Sequence, residues 1–185
     1  KGFVSNGHYK IFILGSPIID SYINFQLIVD TVYSNKLNTA FLKKIDGEFL
    51  IIIVKEECVT IINDRFSSIP LYYCIKNNKF NISTSMLSLF KQLDDKNLKT
   101  EKFMEFLYFQ RVHGYSTYSE EIQVMPASTQ LKYNFKNVQL NKYWFQDFSK
   151  DYNNNLNEYA VKLGSAIQKS INKKTSDKEN YNNKF

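Results

Sequence analysis

Arginine, histidine and cysteine are scarce in this 185-residue chain, and each scarcity removes a class of function. Two arginines, Arg65 and Arg111, supply little of the bidentate recognition that phosphates and bases need. The net charge of +6 and the pI near 9.1 come instead from lysines scattered along the sequence. Phosphate binding gathers its cations on one face, so nucleic acid is not an expected partner. Two histidines, His8 and His113, and two cysteines, Cys58 and Cys74, leave no clustered set of metal ligands. Both cysteines lie in apolar, strand-like surroundings and read as reduced core thiols of a cytoplasmic protein, not as a disulfide framework. A Cys–His catalytic pair needs its thiol exposed in electropositive surroundings, which neither position offers. No stretch is apolar for long enough to span a bilayer and no secretory signal precedes the first strand, so no membrane partner is expected. The first residue is Lys1 rather than Met, which reads as a processed chain or a numbered piece of a longer one.

What is present is a large apolar and aromatic fraction. Hydrophobic residues make up 43% of the chain, enough for one core and a short extension. Aromatics reach 16%, with 15 Phe and 13 Tyr, many alternating with Ile and Val; this pattern favours a sheet-rich fold with large inward side chains.

Periodicity places the elements. Residues 9–14 read as a strand that stops at Gly15-Ser16-Pro17. Apolar positions at helical spacing predict a helix over 20–33 and a shorter one over 36–44. The run from Phe49 to Val54 is apolar on both faces, as in a strand between two layers, and Cys58 to Ile62 returns beside it after a charged turn at Lys55-Glu56-Glu57. Leu71 to Ile75 and Phe80 to Thr84 form a hairpin around Lys76-Asn77-Asn78, followed by a short helix over 85–92 that Ser83 or Thr84 can cap. Phe103, Phe106, Leu107 and Gln110 mark a further helix without a capping box at Thr100. A second hairpin runs from Thr129 to Trp144 around Lys136-Asn137. Beyond it, a polar linker extends to about residue 154. Leu156, Tyr159, Ala160, Leu163, Ile167 and Ile171 then stripe an amphipathic helix, and a polar tail is expected to be mobile. Hairpins, doubly apolar strands and helices in mixed order predict an α+β layered fold with antiparallel sheets.

Four segments, taken together, resemble the asparagine synthetase family over residues 40–145. Ile45-Asp46-Gly47-Glu48-Phe49 is similar to that family's Leu-x-Gly-x-Phe opening of a central strand. The segment from Asp64 and Arg65 through Pro70, Leu71, Tyr72 and Tyr73 resembles its Arg-Asp-x-x-Gly-x-x-Pro-Leu-Tyr-Tyr signature. Phe80 to Leu89 stands where the family has a strand ending in Ala-Ser-Glu. Leu98 to Trp144 matches its order of helix, Gly-Tyr (Gly114, Tyr115), Pro126 and closing hairpin. The resemblance implies an N-terminal-nucleophile (Ntn-type) αββα sandwich of two antiparallel sheets flanked by helices, with an incomplete first sheet. It implies a degenerate glutaminase-like domain over 1–145, and over 146–185 a linker and the first helix of an absent ATP-binding synthetase domain. That domain would be this chain's partner, with ATP and Mg²⁺ as its cofactors; a homodimer is also compatible.

The chemistry the resemblance calls for is incomplete. A glutaminase of this kind uses an N-terminal Cys as nucleophile and an Asn-Gly-Glu segment as oxyanion stabiliser. Here Lys1 stands first, and Leu14-Gly15-Ser16 keeps only the glycine, so Gly15 is the single substrate-binding candidate. At the spacing of the glutamine-binding Asp stand Phe25 and Gln26; Ser67 replaces the signature glycine, and Ser85 the glutamate of Ala-Ser-Glu. No catalytic residue and no metal site is assigned. Gly47, Asp64, Arg65, Pro70 and Tyr72 read as structural members of the signature: a turn clamp, a fixed φ, and a pair, Tyr72 and Tyr73, that alternates faces, one packing and one reaching out. His113, beside Arg111 and Gly114, reads as a loop or cap residue. The resemblance therefore implies the amidotransferase-like part of an ATP-dependent, amide-forming ligase of the asparagine biosynthesis type, itself without glutaminase activity and serving as scaffold. Two alternatives stand beside it: a stand-alone interaction module, and a fragment of an active glutamine-hydrolysing asparagine synthetase.

Overall fold

The doubly apolar run after Gly47 becomes the strand around which the largest sheet is built. In the computed structural model of the chain, which describes residues 2–5, 8–20, 22–56, 58–76, 79–94, 96–135, 137–147 and 155–175, the elements run in mixed order. They are β1 (Gly2–Ser5), β2 (Tyr9–Ile19), β3 (Tyr22–Ile23), α1 (Phe25–Tyr33), α2 (Thr39–Leu42), β4 (Asp46–Lys55) and β5 (Cys58–Asn63). There follow β6 (Tyr72–Lys76), β7 (Lys79–Ser83), α3 (Met86–Lys91), α4 (Thr100–Phe109), β8 (Gln123–Val124), β9 (Thr129–Tyr133), β10 (Val138–Lys142) and α5 (Leu156–Thr175). Lys1, the tips of both hairpins at Asn77-Asn78 and Lys136, the linker residues 148–154 and the tail 176–185 lie outside the described residues.

The fold is α+β with antiparallel sheets. One sheet has seven strands in the order β1-β2-β4-β5-β9-β10, with β3 paired to β2; the other has three, β7-β6-β8. The chain divides into two units, residues 1–15 with 48–143 and residues 16–47 with 144–185.

In the first unit the two sheets pack face to face. Leu50, Ile61, Leu131 and Tyr133 of the larger sheet meet Tyr73, Phe80 and Ile82 of the smaller one, with Leu71 and Met125 between them. Phe80 stacks on Tyr133 with ring centroids 4.5 Å apart. The register pairs Ile52 with Ile61 and Ile61 with Leu131, so one face of three strands feeds this core. Ile51 and Ile62, a cross-strand pair, are fully buried on the opposite face. Each such side chain contributes about 1.5–3 kcal/mol of burial, which is why the run carries no polar alternation. On the outer face of the small sheet, Tyr72 and Cys74 pack against Leu89, Leu93, Met86 and Phe90 around α3. Helix, small sheet and large sheet thus form three successive layers.

In the second unit, α1 buries Ile28, Val29 and Val32, and its first turn is capped by Asn24, whose Oδ1 accepts from Leu27 N at 2.9 Å. Asn38 caps α2 in the same way. The helix expected over 20–33 starts later, because Tyr22 and Ile23 pair back onto Ile19 and Ile18 as β3. The strand expected to stop at residue 14 instead runs on through Gly15, Ser16 and Pro17 to Ile19.

Candidate functional site

The signature loop begins where β5 ends, and its first two residues are polar groups inside the core. Asn63 is completely buried and Asp64 is 1% exposed. The Asp64 carboxylate accepts from four donors: Phe66 N at 2.8 Å, Ser68 N at 3.0 Å, Ser68 Oγ at 3.1 Å and Phe49 N at 3.3 Å. A carboxylate has about four lone-pair sites, so the loop and β4 fill them and leave none to act as base or cation ligand. Its backbone is spent as well: Asp64 N donates to Phe49 O, and Asp64 O accepts from Ser67 N and Ser128 N.

Asn63 does the same on the other side. Its Nδ2 donates to Pro126 O at 2.8 Å and Ser67 Oγ at 3.2 Å, while its Oδ1 accepts from Thr129 N at 2.9 Å. Tyr143 donates its hydroxyl to Asn63 O at 2.7 Å, and Tyr143 N donates to Ser128 O. Burial first, and then the charge of Asp64, push the Tyr143 hydroxyl far above the usual tyrosine range, with Arg65 opposing. It therefore remains a neutral donor. Ser67 and Ser128 both hold positive φ, 54° and 52°, so the two loops that meet here are each bent through a left-handed residue.

The remaining signature residues fall around this clamp. Arg65 is half-buried, Pro70 is exposed just ahead of β6, and Tyr72 packs toward α3. Tyr73 points the other way, between the sheets, and its hydroxyl donates to Gln123 Oε1 at 2.7 Å. Both tyrosines pack, one on each face.

Gly15 and Gly47 share one geometry. Each has φ near +85°, at 85° and 86°. A Cβ on Gly15 would lie 2.1 Å from Glu48 O, and one on Gly47 would lie 2.3 Å from Ser16 O. Close approach of backbone to backbone, together with positive φ, demands glycine at both positions. At the spacing of the resemblance's glutamine-binding carboxylate, Phe25 opens α1 and Gln26 donates its side-chain amide to Asp30 Oδ1 at 2.8 Å. Ser85 caps α3, its Oγ accepting from Ser88 N.

Neither thiol is placed as a nucleophile. Cys74 is 3% exposed; burial raises its pKa, Glu121 adds to the rise, and Asn81 and Lys76 pull it down. Cys58 Sγ lies 3.8 Å from Thr60 Oγ1 on β5. His8 faces Glu56 at 4.0 Å, and His113 lies 3.1 Å from Arg111 on the loop after α4. Among the described residues no three His, Cys, Asp or Glu side chains are grouped to hold a metal ion. Among them, too, no helix is long and apolar enough to cross a membrane.

Residues 28–144 match the family described as glutamine amidotransferase domain. The chain belongs to that family. No curated protein matches it. Among solved structures it is similar to the glutamine phosphoribosylpyrophosphate (PRPP) amidotransferase from B. subtilis complexed with ADP and GMP, at 7% identity and a TM-score of 0.43, over 77% of this chain and 31% of that one. It is also similar to the allosteric regulatory enzyme of purine biosynthesis, at 8% identity and a TM-score of 0.43, over 77% of this chain and 30% of that one. The chain spans about a third of the length of each.

Within this amidotransferase domain, the clamp draws in three residues to which the sequence pattern assigns no site role: Asn63, Ser128 and Tyr143. Asn63 left a trace, since a polar residue closing the apolar run Ile61-Ile62 has to find partners once buried. Ser128 left none. Its contribution is a backbone N–H and a positive φ, which side-chain chemistry does not announce.

Proposed function

We propose that this amidotransferase domain is the scaffold part of an ATP-dependent, amide-forming enzyme of the asparagine synthetase type, and that it does not itself hydrolyse glutamine. The observation that carries the reading is the placement of the two thiols: Cys74 is buried in the core and Cys58 lies on β5 beside Thr60, so neither stands as the nucleophile that glutamine hydrolysis needs. The same reading treats Gly15 as a backbone crossing point, where a Cβ would run into Glu48 O. The partner is a synthetase domain of the same protein, which would supply the ATP and Mg²⁺ chemistry; no step is assigned to them on the residues of this chain. A cytoplasmic location accords with two unpaired thiols, Cys58 and Cys74.

The test is ammonia release from L-glutamine, measured for this chain and for a Cys58→Ser, Cys74→Ser double variant. The expected rate is that of buffer for both. A clear rate in the parent chain that disappears in the double variant would overturn the scaffold reading. ATP–pyrophosphate exchange by the complete protein, across a panel of carboxylates, tests the ligase half separately.

A further inference from the structure

The hairpin of β6 and β7 turns two cross-strand pairs to the outer face of the small sheet. Its register sets Cys74 opposite Asn81 and Lys76 opposite Lys79. Side chains two apart on a strand share a face, so both pairs stand on the side where Cys74 packs toward α3. There they line a cavity of about 200 Å³. From the helix side it is lined by Leu89, Gln92 and Leu93 and, just beyond α3, by Asp94.

Two features of this lining point to a ligand. Like charges directly opposite one another across a hairpin are destabilising, and Lys76 and Lys79 are such a pair. Glu121 meets Lys76 at 3.5 Å and offsets one of the two charges. Lys79 has no ion pair among the described residues, and neither has Asp94. A cation and an anion thus line one cavity without meeting, which suits a guest that carries both charges. The volume is that of about six or seven waters in the liquid, room for a molecule of about ten non-hydrogen atoms or fewer. Asn81 and Gln92 add amides that both donate and accept, while Leu89, Leu93 and the Cys74 thiol supply an apolar wall.

We propose that this cavity binds a small α-amino acid with an aliphatic side chain. The carboxylate lies between Lys76 and Lys79, the ammonium on Asp94, and the side chain against Leu89 and Leu93. The site stands on the face of the small sheet turned away from the large one, and it does not rest on the scaffold reading.

The experiment titrates the full, ¹⁵N-labelled chain with L-valine and with its two halves: isovalerate, which keeps the carboxylate, and isobutylamine, which keeps the amine. L-Valine should shift the side-chain amide signals of Asn81 and Gln92 and the backbone amides of β6 and β7, with a Kd of order millimolar. Each half-molecule should bind at least about tenfold more weakly. Lys79→Met and Asp94→Asn, both at exposed positions, should each weaken L-valine about tenfold while leaving the thermal melt unchanged. No shift up to about 50 mM L-valine, or shifts confined to other parts of the chain, would overturn the proposal. Isovalerate or isobutylamine binding as tightly as L-valine would overturn it too, by reducing the cavity to a site for a single charge.

Discussion

Asp64 illustrates how a buried acid is held by hydrogen-bond donors of its own loop and of β4. Its oxygens are met by N–H groups of Phe49, Phe66 and Ser68 and by the Ser68 hydroxyl, so the desolvation of the charge is offset by donors held in fixed places. Removing the carboxylate leaves those donors without the acceptor that orders the loop. Asp64→Ala is expected to cost about 3 kcal/mol or more, read as a fall in the urea midpoint, with the loop from 64 to 70 losing amide protection. The neighbouring Ser67 provides the internal control. Its left-handed φ of 54° strains any residue with a Cβ, but its Oγ accepts from Asn63 Nδ2 at 3.2 Å. Ser67→Gly relieves about 1 kcal/mol of strain and loses about 1 kcal/mol of hydrogen bond, so it should leave the midpoint nearly unmoved. Equal losses for the two variants would show that the loop, not the carboxylate, is what the core depends on.

At the scale of elements, α4 shows how a helix without a side-chain cap is completed. Lys99 at its N-cap makes no side-chain capping bond, and none of its residues is buried. Its far end is closed by Gln110 in a left-handed conformation and by Glu105, which reaches Lys102 at 2.6 Å and the His113 amide at 2.7 Å. The Lys102 hydrogen bond, then the His113 amide, hold Glu105 below the ordinary glutamate value of 4.5. A depressed carboxylate contributes its stabilisation above the unfolded value and loses it as the pH falls through the folded one. The turn from 110 to 114 should therefore be protected in hydrogen exchange at neutral pH and open as the pH drops below 4.5. Glu105→Gln should show the open behaviour at neutral pH, and retained protection in that variant would remove Glu105 from the account. Which elements the sequence discloses follows the same physics. β4, β5 and both hairpins are legible because burial on one or two faces imposes a pattern on side chains. β3 and the extension of β2 past Pro17 are not, because they depend on backbone pairing between Ile18 and Ile23 and between Ile19 and Tyr22. α3 is legible, but its capping oxygen comes from Ser85, one or two residues beyond the expected Thr84 or Ser83. The clamp was half legible. Asp64 and Arg65 announce themselves as a pair, while Asn63 and Tyr143 are joined by a hydrogen bond across 80 residues that no local pattern records.

At the scale of the molecule, that long connection decides how the first unit is closed. The unit runs from residue 48 to Tyr143 after its opening segment 1–15, and Tyr143 is its last residue. By donating to Asn63 O, the end of the unit is tied to the end of β5, while Tyr143 N holds Ser128 O in the loop between. The tie exists only while the phenol is protonated. Its folded pKa is raised above the ordinary value of 10.0, as is that of Tyr73 between the sheets, so the stabilisation is fully present below 10.0 and is lost as the pH climbs beyond it. Unfolded chains ionise these phenols first, and the equilibrium is drawn toward them. Urea midpoints should hold from neutral pH to about 10 and then fall, with part of the tyrosine absorbance change appearing only as the chain unfolds. Lysine deprotonation contributes to any alkaline transition, so the decisive measurement is a difference. Tyr143→Phe removes the phenol and its bond to Asn63 O at a cost of about 1 kcal/mol at neutral pH. Above 10.0 that gap should narrow, because the parent loses what the variant never had. A gap that stays constant through the alkaline range would mean that the unit is held shut by packing alone, with the Asn63–Tyr143 bond a passenger.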